Sequence, residues 1–64
     1  MEYNNYIQKQ IDIIQSSNLP IGNKNYIIDF INDNKQKCIN NEITASQMIS
    51  NISSIIEIFL KQKN

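Results

Sequence analysis

Apolar positions recur along this chain at steps of three and four in three stretches, with two short breaks between them. In the first, Tyr3, Tyr6, Ile7, Ile11 and Ile14 fall on one helical face, which Ile13 widens beside Tyr6. This spacing predicts a helix over residues 3–16, with Glu2 placed to complement the positive end of its dipole. Ser16, Ser17 and Asn18 weaken it, and Pro20 and Gly22 end it. In this turn Leu19 and Ile21 are expected to plug the core where two helices meet. Asn23 is the expected N-cap of the second helix, over residues 24–37. That helix aligns Ile27, Phe30, Ile31 and Cys38, with Tyr26 and Ile28 on the shoulders. From Asn32 to Lys37 the chain is wholly polar, which predicts an exposed last turn, and residues 38–41 read as a connector. The third helix, expected within residues 42–61, has the strongest pattern: Ala45, Met48, Ile49, Ile52, Ile55, Ile56 and Phe59. Thr44 and Gln47 form a capping-box pair, with Asn40 or Asn41 as alternative starts. Lys61 and Lys63 close this helix. Three amphipathic helices with short turns define an all-α domain, a small three-helix bundle.

Composition sharpens this picture at a few points. Sixty-four residues allow one domain. With 41% apolar residues the chain can close a core, but its stability margin is small. Fifteen Ile, two Leu, one Ala and no Val make that core mostly isoleucine. Isoleucine mildly disfavours helix, so spacing and not propensity sets the secondary structure. The Ile, Asn and Lys bias reflects an AT-rich genome and carries no functional information.

Six lysines balance six acidic residues. Residues 1–34 are net acidic through Glu2, Asp12, Asp29 and Asp33, and residues 35–64 are net basic through Lys35, Lys37, Lys61 and Lys63. The lone Cys38 cannot form an internal disulfide, and with no His it cannot build a metal site. A reducing, cytoplasmic setting is expected. The N-terminus does not read as a secretory signal, and no apolar run approaches the ~20 residues of a membrane span.

Candidate chemistry is sparse. Without His or Arg there is no Ser–His–acid or Cys–His nucleophile and no Arg clamp on a phosphoryl group, so a non-enzyme without cofactor or metal is expected. Asp29 and Asp33, at i and i+4, read as a solvated helix surface. Cys38 reads as a small apolar residue at the core's edge. Tyr3, Tyr6 and Tyr26 could stack on bases, although Tyr3 and Tyr6 lie on the apolar stripe. Opposite the stripe of the third helix stand Ser46, Gln47, Ser50, Asn51, Ser54 and Glu57. Uncharged donors and acceptors of this kind contact phosphates and base edges, but composition alone makes this a solvated face.

Three pieces, in order and at consistent spacing, carry a resemblance. They are Ile13-Ile14-Gln15-Ser16-Ser17-Asn18, then Asn23-Lys24-Asn25-Tyr26-Ile27-Ile28-Asp29-Phe30-Ile31, then Met48-Ile49-Ser50-Asn51-Ile52-Ser53-Ser54-Ile55-Ile56-Glu57-Ile58-Phe59-Leu60. From Ile7 to Lys61 the chain resembles the N-terminal core-binding domain of archaeal tyrosine recombinases, the integrases of archaeal viruses and plasmids. The resemblance implies a sterile-alpha-motif-like helical domain that arches over duplex DNA while a separate catalytic domain cuts and rejoins strands. It places Ser50, Asn51 and Ser54 toward the duplex and Lys24, Lys35 and Lys37 on backbone phosphates, and Gln47 joins the candidate DNA contacts as a neighbour on the same polar face. Affinity in isolation is expected to be weak and non-specific, and Ser53 and Ser54, where the family often carries basic residues, remove phosphate affinity. The alternative is a small helical protein-interaction module, such as a mobile-element regulator or inhibitor, which the zero net charge suits. Self-association through the Ile-rich stripes would need more exposed apolar area than the pattern implies.

Overall fold

A computed structural model describes residues 3–61. The expected roles of Glu2 and Lys63 at helix ends lie outside these residues. Three helices form an elongated bundle of 36 × 17 × 16 Å: α1 (Tyr3–Ser16), α2 (Ile21–Ile39) and α3 (Ala45–Lys61).

In α1, Ile7 and Ile14 are buried, with Tyr3, Tyr6 and Ile11 partly buried against the core. Ile13 does not widen this stripe inward. One residue from Ile14 is a 100° rotation, and its side chain is 40% exposed. The Ser17 hydroxyl ends the helix by donating to the Ile14 carbonyl at 2.7 Å and accepting from the Leu19 N–H at 3.4 Å.

The turn between α1 and α2 is shorter than the sequence suggests. Pro20 acts as the N-cap of α2 and not only as the breaker of α1. Its φ of −58° and ψ of 152° leave its carbonyl aimed along the new helix, where it accepts from the Lys24 N–H at 3.0 Å. Asn23, expected as the cap, is therefore already helical. Leu19 packs on the core, but Ile21 does not plug it: as the first helical residue it points outward and is 72% exposed.

At its other end α2 continues to Ile39, so Cys38 is helical and partly buried, not part of a connector. The helix ends in a Schellman motif. The Glu42 N–H donates to the Lys37 carbonyl at 2.8 Å and the Asn41 N–H to that of Cys38 at 3.0 Å. Asn41 takes the left-handed conformation this requires, with φ 65°; asparagine tolerates it better than most residues. Ile43 then tucks against the core.

The expected capping box starts α3 directly after Thr44, three residues later than the outer bound of 42. The Gln47 N–H donates to Thr44 Oγ1 at 3.1 Å, and the Thr44 N–H to Gln47 Oε1 at 2.9 Å. Thr44→Ala should lower unfolding stability by about 1 kcal/mol in urea denaturation followed by circular dichroism. An unchanged midpoint would mean that the box is not formed in solution.

Ile52 and Met48 are fully buried, and Ile55 and Ile56 nearly so, while Ala45 at the start of the stripe is exposed. Together with Ile7, Ile14, Ile27 and Ile31 they form the core, which is isoleucine throughout except for Met48. Stiff β-branched side chains lose little rotamer freedom on burial, which helps so small a core to hold.

Polar and aromatic links fix how neighbours align. Lys24 Nζ donates to the Gln15 carbonyl at 3.0 Å, joining α2 to the end of α1. Tyr26 packs on Phe59 with ring centroids 5.8 Å apart, and Asn34 meets Asn51, so α2 and α3 run antiparallel. The Tyr6 hydroxyl and Ser53 Oγ, 2.8 Å apart, share a hydrogen bond between α1 and α3.

Candidate nucleic-acid interface

The outer side of α3 follows from its inner side. Burial of Met48, Ile52, Ile55 and Ile56 turns the residues between them outward. Gln47, Ser50, Asn51 and Ser54, spaced three, one and three residues apart, share this outer face, and all four are exposed. Among described residues the Ser50 and Ser54 side chains make no hydrogen bond, so both hydroxyls face solvent. Gln47 has its side-chain oxygen engaged by Thr44 and its amide nitrogen outward. Asn51 donates from Nδ2 to Asn34 Oδ1 at 3.0 Å.

Asn34 is a residue that the pattern of polar and apolar types hid. Although it lies in the polar stretch expected to be exposed, it is buried, with 5% of its surface accessible. Its own Nδ2 donates to the Phe30 carbonyl at 3.0 Å. The signal was the slot and not the residue type: Ile27, Ile31, Asn34 and Cys38 continue the same four–three–four spacing.

The three candidate lysines do not gather on this face. Lys24 reaches back to α1, and Lys35, eleven residues and close to three turns later, lies on the same flank of α2. Lys37 falls one turn beyond Asn34, on the flank that meets α3, and pairs with Asp33 at 3.4 Å. On α3 itself, Lys61 pairs with Glu57 at 3.0 Å. These are exposed i,i+4 pairs with the acid N-terminal to the base, each worth about 0.3–0.5 kcal/mol. Their effect here is to neutralise charge beside the polar face.

The remaining candidates are placed as follows. Tyr3 and Tyr6 pack on the core's rim, whereas Tyr26 is 57% exposed despite its contact with Phe59. Partial burial, and then the neighbouring Cys38 thiol, raise the Tyr3 pKa above its ordinary value. Asp29 and Asp33 are exposed, Asp33 in its ion pair. Among the described residues no three His, Cys, Asp or Glu side chains cluster as metal ligands, and no helix is long and apolar enough to cross a membrane. Compared with family models, curated proteins and solved structures, the chain matches none.

Proposed function

We propose that this chain is a non-catalytic DNA-clasping domain of the sterile-alpha-motif-like kind that archaeal tyrosine recombinases carry, laying the outer face of α3 against a duplex. The observation that carries this reading is the exposed, uncharged row of Gln47, Ser50, Asn51 and Ser54 on a helix whose other side is core. Such groups position a protein on phosphates and base edges without a strong field. The three pieces of the family resemblance also fall on the end of α1, the first half of α2 and most of α3. In this reading a separate catalytic domain supplies the strand-transfer chemistry, and the lone Cys38, with no partner for an internal disulfide, suits a cytoplasmic setting.

Lys37 flanks the face and, although paired with Asp33, is the one of the three candidate lysines placed to reach a phosphate there. Duplex binding by fluorescence anisotropy should be measurable at low salt and fall steeply as salt rises. Lys35→Glu with Lys37→Glu should weaken it several-fold, with Lys37→Glu responsible for most of the loss. Absence of duplex binding at low salt ends this proposal.

A second reading, a helical protein-interaction module, is favoured by the local charge compensation and by Ile58. This side chain is 58% exposed on the same outer side of α3, one turn beyond Ser54. A protein partner would meet a neutral, partly apolar strip there.

A further inference from the structure

We infer that Asn34, which lies outside the exposed face, is a positioning residue that sets the Asn51 carboxamide to read an adenine edge. The inference rests on the DNA-clasping reading and assigns that surface a base preference.

The hydrogen-bond chain leaves one orientation for each amide. The Phe30 carbonyl can only accept, so the Asn34 group 3.0 Å from it must be Nδ2. That turns Asn34 Oδ1 toward α3. An oxygen there can only accept, so the Asn51 group 3.0 Å away must also be Nδ2. Asn34 is held in the isoleucine core and cannot easily rotate. Asn51 is exposed, and is therefore an outward-facing side chain whose rotation is restrained from beneath.

Asn51 keeps its Oδ1 and one N–H of Nδ2 for a ligand, and it presents them as an acceptor beside a donor when Asn34 takes the amide hydrogen that points away from Oδ1. A phosphate offers acceptors only and would use half of this pair. Adenine offers an N6 donor beside an N7 acceptor in the major groove, which matches both. Ser50 and Ser54 lack this discrimination, since a hydroxyl rotates to suit either kind of partner. A side chain already fixed before contact loses less rotamer freedom on binding, so the restraint favours this contact over those of its mobile neighbours.

The test is anisotropy at low salt with three duplexes: A·T-rich, G·C-rich, and A·T-rich with adenine N7 replaced by carbon. The unmodified chain should prefer the A·T-rich duplex by roughly tenfold, and the modified adenine should remove that preference. Asn51→Ala and Asn34→Leu should each flatten the preference while leaving the dependence on salt unchanged, because neither touches a charge. Should Asn34→Leu fail to fold by circular dichroism, Asn34→Ala, smaller and favourable in a helix, supplies the same comparison. An A·T preference that survives the Asn34 substitutions, or that ignores the modified adenine, overturns the inference but leaves DNA binding standing. Failure of the unmodified chain to bind any duplex removes the underlying reading instead.

Discussion

Ile52→Ala should cost about 2–5 kcal/mol and leave much of the chain unfolded at room temperature. Ile52 is fully buried at the middle of α3, within a core of eight side chains. Its truncation removes buried methyl and methylene groups and opens a cavity between stiff isoleucines that have few rotamers with which to fill it. A chain of this length has a margin of only about 3–5 kcal/mol to lose. Urea denaturation followed by circular dichroism should show a shortened or missing folded baseline. The exposed Ile58→Ala is the control, with an expected change within about 0.5 kcal/mol. Equal effects at the two positions would mean that Ile52 is not in the core.

Asn34→Asp is the second large effect, and it depends on pH. The shape of the side chain is kept, but a carboxylate cannot donate to the Phe30 carbonyl and instead places its charge beside that oxygen. Burial beside the Phe30 carbonyl oxygen raises the carboxyl's folded pKa above the ordinary aspartate value. The folded state then binds the proton more tightly than the unfolded state, so stability is highest in acid. It falls as pH rises from the unfolded pKa through the folded one. At neutral pH the loss should be about 3 kcal/mol, the scale of an uncompensated buried charge. Asn34→Leu removes the polar group entirely and should stay close to the parent at every pH. Urea midpoints for both variants, in acid and at neutrality, provide the check. A pH-independent Asn34→Asp would mean that water reaches position 34.

That three amphipathic helices pack into a bundle was legible in the sequence, because the spacing of apolar residues survives a composition that mildly disfavours helix. The capping box of α3 was also legible, since Thr44 and Gln47 interact within four residues. Residue type was a poorer guide. With fifteen isoleucines to place, an isoleucine need not be core: Ile21 and Ile39, eighteen residues and five turns apart, both lie exposed on one side of α2. Conversely Asn34 fills a core slot. Pro20 was read as the end of one helix when the same fixed φ also begins the next.

The candidate site divides along the same line. The outer face of α3 follows from periodicity alone, and the four candidate residues on it emerge together. Which flank of α2 meets which neighbour depends on how the helices cross, and that is not encoded in the pattern. Lys24 and Lys35 therefore separate from Lys37 in a way that spacing along the chain did not reveal.

The four-residue and five-residue links between the helices bear on how the chain reaches its native state. Each helix pairs with the one beside it in sequence, so little loop entropy opposes docking. Contacts this local place the protein among fast folders, with collapse and helix docking in microseconds to milliseconds. Exposure of the isoleucine stripes to other chains is then brief, which offsets the aggregation hazard of so apolar an interior.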